Sequence, residues 1–175
     1  MNNETQSDQE RNSESELVSE IEAVLDRTAE LWRGGAKDKL LALWDTDDPE
    51  PWYVPEEIRE AFTSWPEIKA YWGPRRGGGL ADFRWGHANV QVKRLAPDIA
   101  LAMFDHFYEL TRAGEGEAPI GGFDRCLAIF RKKADGWRYI LYAQCPLGPE
   151  TYVRAMREHI IQPDFDTFRE RLSKE

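Results

Sequence analysis

The region from Arg84 to Pro146 is the part of the chain that most constrains its fold. It contains four segments in which residues alternate along an extended chain, separated by turn signals and with almost no helical periodicity. The region before it has apolar residues at helical spacing. Helices followed by consecutive antiparallel strands are typical of the α+β class. One fold of this class wraps a curved antiparallel sheet around a helix and forms a cone-shaped pocket, so a small-molecule site is the leading functional hypothesis.

Size and charge exclude several classes of function. The chain has 175 residues, with 23 lysines and arginines against 32 aspartates and glutamates, for a net charge of −9. Nucleic acids and anionic membranes bind basic surfaces, so neither is an expected partner. The sequence shows no signal peptide and no membrane-length apolar run, which predicts a cytoplasmic protein. Cys126 and Cys145 lie in apolar strand patterns and are expected to be buried thiols.

The N-terminal block is predicted to be helical. Residues 1–14 are expected to form a disordered acidic tail. Ser13 and Glu16 resemble a capping box. Seven residues then recur at helical spacing and predict one buried stripe: Leu17, Ile21, Val24, Leu25, Thr28, Leu31 and Trp32. A shorter helix is predicted from Lys37 to Trp44, and the acidic residues Asp45, Asp47 and Asp48 then indicate a solvated turn.

The remaining elements form a strand, a helix and the four-stranded meander. Trp52 to Val54 is predicted as a short strand, and Ser64 with Glu67 begins a helix that ends at Gly73-Pro74. The meander strands are predicted at 83–95, 99–110, 123–132 and 137–145. Residues 15–148 would then be the core domain, and 149–175 a helical C-terminal extension.

Two segments resemble the nuclear transport factor 2 (NTF2)-like superfamily, close to its SnoaL-like and ketosteroid-isomerase-like branches. The stretch from Arg125 to Ile140 is similar to that group's penultimate hairpin, in which an Arg opens an apolar strand and a Gly-Trp-Arg step opens the last strand. The stretch from Glu67 to Trp72 is similar to the helix after its first short strand. The resemblance covers about Leu17 to Pro146 and implies the cone-shaped fold, with the C-terminal helices as an addition to it.

The resemblance does not carry one reaction with it. The superfamily includes isomerases, dehydratases, epoxide hydrolases, lyases and non-catalytic binders. Many SnoaL-like sequences place a histidine near the end of the last strand, but the segment from Leu141 to Cys145 has none. The general-base aspartate of the isomerases has no definite counterpart here either.

Alternation along the strands predicts which side chains share a face. Small residues collect on one face, which is therefore expected to be concave: Ala100, Ala102, Cys126, Ala128, Ala143 and Cys145. The opposite face is also apolar, and a second copy of the chain would cover it, which predicts a homodimer or higher oligomer. A β-bulge would invert any face assignment beyond it.

The predicted acid–base group is a histidine–aspartate pair. His106 and Asp124 are expected on the concave face of adjacent strands, where the carboxylate would orient the imidazole for proton transfer. Tyr108 or Tyr139 would stabilise an oxyanion. The alternative is that His106 is a hydrogen-bonded core residue and Asp124 caps a strand end.

A second group of residues is predicted to contact the substrate. Because the helical block closes the cone in the resembling fold, Trp52 and Tyr53 are the leading aromatic contacts. His87 would lie at the pocket mouth or be a partly exposed edge residue. Arg125 matches the superfamily's arginine and would bind an anionic substrate group or pair with Asp105 or Asp124. The full predicted set is Trp52, Tyr53, Phe104, Arg125, His87, Trp32 and Leu141.

No motif predicts a metal or another cofactor. The acidic turn lacks the glycine and distal glutamate of a calcium loop, and phosphate-loop and dinucleotide fingerprints are absent from the sequence. The leading hypothesis is therefore a cofactor-independent lyase or isomerase acting on a hydrophobic, aromatic small molecule, with lignin-derived compounds as one analogy within the superfamily. The alternatives are a non-catalytic binding or oligomerisation domain and, ranked last, a partner-binding role like that of the nuclear transport factor itself.

Overall fold

The computed structural model describes residues 2–33, 36–73, 80–112 and 118–149, together with residues 153 and 164. It contains an α-helix, α1 (Asn2–Arg33), and a 3₁₀ helix (Lys37–Leu43) where a short helix was predicted. A short strand, β1 (Trp52–Val54), and a second α-helix, α2 (Trp65–Trp72), follow, as the sequence indicated. The predicted C-terminal helices lie outside the described residues, and the division of the chain into tail, core and extension stays a prediction.

The first helix begins earlier than its predicted cap. It continues through the segment expected to be a disordered tail, so the predicted start at Ser13 is wrong. Glutamate and glutamine are good helix formers, and acidic side chains near a helix N-terminus stabilise the helix dipole. The predicted apolar stripe is confirmed, because Leu17, Ile21 and Leu25 are almost completely buried.

Five strands form one sheet in the order β1-β5-β4-β3-β2. The four meander strands are antiparallel neighbours, with bounds of Leu80–Ala96 for β2, Ile99–Arg112 for β3, Ile120–Lys133 for β4 and Gly136–Pro146 for β5. Strand β1 pairs in parallel with β5, so the chain just after β1 lies beside the C-terminal end of the meander. The result is the predicted α+β cone, a curved sheet around a helix.

The concave face of β3 and β4 is the one the sequence predicted. Ala100, Ala102, Cys126 and Ala128 have no exposed surface, which leaves room for α1 against the sheet. The helix is also tied to the sheet by polar contacts. Thr28 Oγ1 and the Tyr139 hydroxyl are 3.0 Å apart, and Glu20 accepts hydrogen bonds from Lys132 and Trp137.

A β-bulge in β5 reverses the faces beyond it. Phe130 pairs with Tyr139 and Ile129 pairs with Leu141, so Ile140 is an extra residue. Tyr142 and Gln144 therefore point to the concave side, whereas Leu141, Ala143 and Cys145 point to the convex side. The predicted concave positions of Leu141, Ala143 and Cys145 are thus wrong, and Cys145 is exposed rather than buried.

A second irregularity lies in β2. The register shifts between Ala88 and Gln91, and Asn89 has a φ of 53°. Asparagine tolerates this left-handed conformation better than most residues do. The shift leaves Phe83, Trp85 and His87 on the concave side before the bulge and Val92 on the same side after it, so both ends of β2 contribute to the interior.

None of the helices in the described ranges is both long enough and apolar enough to span a membrane.

The acidic turn after the 3₁₀ helix is not solvated as predicted. The Asp45 side chain is only 2% exposed and binds two cations of β4, Arg131 at 2.6 Å and Lys133 at 2.9 Å. Asp48 is also buried and lies 3.1 Å from Arg131. Burial alone would raise the pKa of Asp45, but the hydrogen bonds from Lys133 and Arg131 lower it. The turn therefore locks the helical block to the sheet.

We expect Asp45→Asn to destabilise the fold by about 1.5–3 kcal/mol, the usual value of hydrogen bonds to charged groups. Because the folded pKa of Asp45 is lowered, its contribution is present above the unfolded pKa and is lost as the pH falls through the folded pKa. Chemical denaturation at neutral and acidic pH measures both effects. Asp47→Asn is the control, since the Asp47 side chain is 84% exposed. Equal stability of the two variants at neutral pH would contradict the structural role of Asp45.

Candidate functional site

The predicted His106–Asp124 pair forms on the concave face. The two residues are directly opposite each other in the β3–β4 ladder, and His106 Nδ1 lies 3.0 Å from Asp124 Oδ1. His106 is 1% exposed and Asp124 has no exposed surface. The antiparallel pairing of β3 with β4 contains no bulge, so the two side chains share a face as strand alternation predicted.

Three side chains donate hydrogen bonds to the buried Asp124 carboxylate. Besides His106, Gln144 Nε2 donates to Oδ2 at 3.1 Å and the Cys126 thiol donates to Oδ1 at 3.3 Å. Burial alone would raise the pKa of Asp124, but the hydrogen bond and charge of His106, helped by Cys126 and Gln144, lower it. Asp124 is therefore a carboxylate that accepts hydrogen bonds, and His106 Nδ1 carries the proton that lies between them.

The other ring nitrogen of His106, Nε2, is buried. Among the residues that the structure describes, none forms a hydrogen bond with it. In the neutral ring with a proton on Nδ1, this nitrogen carries a lone pair. A buried polar atom left without a partner costs about 1–3 kcal/mol. His106 Nε2 is thus a buried acceptor whose direction is fixed by the hydrogen bond at Nδ1.

Glu56 is part of the same network, although the sequence analysis did not identify it. It follows β1, and its carboxylate oxygen Oε1 accepts a hydrogen bond of 2.8 Å from the Tyr108 hydroxyl. Its backbone N–H donates to Gln144 Oε1 at 3.2 Å. Burial raises the pKa of Glu56, and the neighbouring Asp124 carboxylate raises it further, against the lowering effect of Tyr108.

Aromatic rings surround the pair. Trp85 lies 5.2 Å and Tyr108 5.7 Å from His106, measured between ring centroids. His87 is directly across the β2–β3 ladder from His106, so its side chain points to the concave face, although β2 is an edge strand of the sheet and His87 is partly exposed. Burial lowers the pKa of His87, although Asp26 and Glu22 of α1 oppose this. Phe104 is also buried on this face.

Two further aromatic residues of the predicted set, Trp32 and Tyr53, lie on the concave side but are not next to the His106–Asp124 pair. Trp32 of α1 packs on Phe83, with ring centroids 4.8 Å apart, and Phe83 in turn stacks on Tyr108. Tyr53 is buried and stacks on Tyr142, which contacts Cys126 Sγ through its hydroxyl at 3.1 Å. One aromatic ring therefore lies between Trp32 and the site, that of Phe83, and one lies between Tyr53 and the site, that of Tyr142.

Tyr139 does not join the His106–Asp124 pair. Its hydroxyl lies 3.0 Å from Thr28 Oγ1, its ring packs against Trp44 and Phe130, and burial raises its pKa. These contacts make it part of the packing between α1 and the sheet. Its predicted oxyanion role has no support from this position, whereas Tyr108 remains in the site.

Three predicted substrate contacts lie on the convex face instead. Trp52 is 50% exposed and pairs with Leu141 in the parallel β1–β5 ladder, so both point away from His106. Arg125 is exposed and lies opposite Asp105, one of the two structural partners the sequence suggested. The bulge in β5 explains the position of Leu141, because it reverses the faces of the strand beyond Ile140. Trp52 lies on the same face because it pairs with Leu141.

Sequence reasoning missed Gln144, Tyr142 and Glu56. Gln144 and Tyr142 were placed on the wrong face because nothing in the Tyr139-Ile140-Leu141 run signals a bulge. Glu56 follows Pro55, and this proline signals only that the strand β1 ends there. It does not indicate the direction of the Glu56 side chain. The parallel pairing of β1 with β5, which brings Glu56 to Gln144, has no local signature.

The site offers one set of potential metal-binding atoms among the described residues. Single ligand atoms of His106, Asp124 and Cys126 all lie within 4.8 Å of one another. Thiols bind metals as thiolates, but burial raises the pKa of Cys126 far above its ordinary value. The 3.0 Å and 3.3 Å contacts of Asp124 Oδ1 are hydrogen bonds that occupy the facing lone pairs. In this structure the three side chains are joined to one another by these hydrogen bonds.

Comparison with known proteins identifies the fold. The chain is similar to an NTF2-like superfamily protein from Salmonella enterica serovar Typhimurium, at 18% identity over 77% of this chain and 94% of that one, with a TM-score of 0.64. It is also similar to a candidate scytalone dehydratase from Novosphingobium aromaticivorans, at 12% identity over 74% and 83% of the two chains and a TM-score of 0.63.

A third similar structure is a candidate calcium/calmodulin-dependent protein kinase II association domain from Xanthomonas campestris. It shares 16% identity over 74% of this chain and 87% of its own, with a TM-score of 0.59. No family model and no curated protein matches the chain. At these identities the comparisons show the NTF2-like fold that the sequence predicted.

We expect Gly122→Ala to destabilise the site by about 1–3 kcal/mol, the usual cost of overpacking. A Cβ at Gly122 would clash with the Tyr108 ring, whose hydroxyl donates a hydrogen bond to Glu56. Gly86→Ala is the matched control, because its Cβ would meet the ring of Phe107, which is 38% exposed and can turn outward. Denaturation measurements would contradict the rigid placement of Tyr108 if both variants lost equal stability.

Proposed function

We propose that this protein is a cofactor-independent enzyme that uses the His106–Asp124 pair for acid–base chemistry on a hydrophobic, aromatic small molecule. The observation that carries the proposal is the unpartnered Nε2 atom of His106, buried in the cone while Nδ1 is held by an ionised Asp124. An imidazole oriented in this way removes a proton at Nε2 and later returns it.

The surroundings support an uncharged, ring-containing ligand. Trp85, Phe104 and Tyr108 offer flat apolar surfaces beside His106. No lysine or arginine appears among the hydrogen-bond or ion-pair partners of His106, Asp124 or Glu56 in the part of the chain that is described. A buried anion needs a paired cation, so this site favours a neutral molecule.

The reaction class that fits is proton abstraction followed by elimination or isomerisation. Both begin with removal of a proton by a base such as His106, and both proceed without a cofactor. A dehydratase name occurs among the similarly folded proteins, which is compatible with a lyase. The aromatic lining makes lignin-derived and other aromatic compounds reasonable substrates to assay first. The cytoplasmic location inferred from the sequence remains a prediction.

Homo-oligomerisation is a second proposed function, independent of catalysis. Large apolar side chains are exposed at one end of the convex face, where Phe107 and Phe123 pair across β3 and β4 and are 38% and 42% exposed. Trp52 of β1 is also exposed on the convex face, at 50%. A second copy of the chain would bury these side chains, and an association domain occurs among the similarly folded proteins.

We expect His106→Ala to lower turnover at least about 100-fold while the fold survives, because the general base is removed. A thermal-shift screen with aromatic, steroid-like and polyketide-like compounds supplies the ligand to assay. It is run on the wild type, on His106→Ala and on Asp124→Asn. Glu109→Gln is the control, since Glu109 is an exposed residue on the convex face of the same strand. Turnover that is unchanged in His106→Ala would refute the proposed role.

We expect the wild type to be at least dimeric in solution and Phe107→Ser to dissociate it, since a central apolar contact would be lost. Light scattering after size-exclusion chromatography measures the mass, and circular dichroism checks the fold. Glu109→Ser tests a polar residue on the same strand and face and should leave the mass unchanged. A monomeric wild type would rule out this second function.

A further inference from the structure

Glu56 occupies a position that neither catalysis by His106 nor packing explains. It is a half-buried carboxyl group in the connection after β1, and it forms hydrogen bonds with two strands of the meander, β3 and β5. It accepts a hydrogen bond from Tyr108 of β3, donates its backbone N–H to Gln144 of β5, and interacts with the Asp124 carboxyl of β4. An ionised glutamate beside the fully buried carboxylate of Asp124 would place two like charges together.

We propose that Glu56 is the second acid–base residue of this site, a positioning residue that keeps its proton beside the ionised Asp124 and so sets the charge seen by His106. This inference rests on the proposed function of the His106–Asp124 pair. Two neighbouring carboxyl groups that share one proton are separated into an acid and a base by their surroundings. Asp124 has three donors and is the base of the two, so the proton stays on Glu56.

The groups around Glu56 support this assignment. From β4 it faces Asp124, from β3 the Tyr108 hydroxyl, and from its own connection the exposed Glu57. Gln144 of β5 is uncharged. No lysine or arginine is among its hydrogen-bond or ion-pair partners within the described ranges. Burial and the two acidic neighbours raise the pKa of Glu56, and only the Tyr108 hydrogen bond opposes them.

The proton on Glu56 has a consequence for the ligand. With Glu56 neutral, the site carries the single negative charge of Asp124, and the imidazole donates Nδ1–H to it. If Glu56 ionised, two carboxylates would lie next to each other in the interior, and both would repel the negative charge that forms on a ligand when it loses a proton. A neutral Glu56 therefore suits a site for uncharged ligands.

The test is the pH dependence of stability, measured without any ligand. A group whose folded pKa is raised contributes stability below its unfolded pKa, and that contribution is lost as the pH rises through the folded pKa. We therefore expect the wild type to lose stability relative to Glu56→Gln as the pH is raised above the ordinary glutamate range. Glu56→Gln keeps both hydrogen-bonding partners and cannot ionise. Denaturation midpoints from pH 4 upward report the difference.

Three variants separate this role from a structural one. Glu57→Gln removes a nearby exposed charge and should follow the wild-type curve. Glu56→Ala loses the hydrogen bond to Tyr108 and should be destabilised at every pH. Asp124→Asn removes the neighbouring charge, so adding Glu56→Gln to it should have a smaller effect on the pH curve. Parallel curves for the wild type and Glu56→Gln, or a Glu57→Gln curve that matches Glu56→Gln, would overturn the proposal.

A second measurement connects Glu56 to ligand binding. With a compound that stabilises the wild type in the thermal-shift screen, Glu56→Gln should flatten the pH dependence of the shift, whereas His106→Ala should remove the shift. Loss of the shift in His106→Ala with an unchanged pH profile in Glu56→Gln would reject the role of Glu56 alone. An unchanged shift in His106→Ala would reject the proposed function, while the ligand-free curves would still decide whether Glu56 keeps its proton.

Discussion

The buried carboxylate of Asp124 is the constraint on which the interior of this protein depends. A charge without exposed surface is stable only when hydrogen-bond donors surround it. The fold supplies them from three strands: His106 from β3, Cys126 from β4 and Gln144 from β5. This carboxylate orients the imidazole, and its charge adds to the burial that raises the pKa of the Cys126 thiol and of Glu56.

A single extra residue in β5 allows this arrangement. Without the bulge at Ile140, Gln144 would point to the convex face and Cys145 would face Asp124 in its place. Asp124 would then lose an amide donor, and Tyr53 would lose Tyr142 as a stacking partner. The bulge also turns Leu141 outward, so the same irregularity that completes the polar interior enlarges the apolar convex face.

The sequence predicted what depends on local pattern. The stripe of α1, the strand β1, the meander and the His106–Asp124 pair all follow from periodicity within short segments, and the unbroken β3–β4 register preserved the pair. The bulge was not predictable, because Tyr139, Ile140 and Leu141 are all apolar and either face could bury them. Contacts such as Glu56 with Tyr108 or Asp45 with Arg131 join residues far apart in the chain, and they depend on which strand lies beside which.

In the reaction that we propose, the charges of the site balance when His106 acts as a base in this buried interior. A proton taken from a neutral ligand by His106 creates an imidazolium directly against the Asp124 carboxylate, so the new charge is paired where it forms. The negative charge that remains is on the ligand. It then lies near a neutral Glu56 and not near a second carboxylate. Were Glu56 ionised, that developing charge would meet an unpaired carboxylate across the Tyr108 hydroxyl. Under this proposal, a neutral Glu56 is the condition under which proton removal by His106 would cost least in this interior.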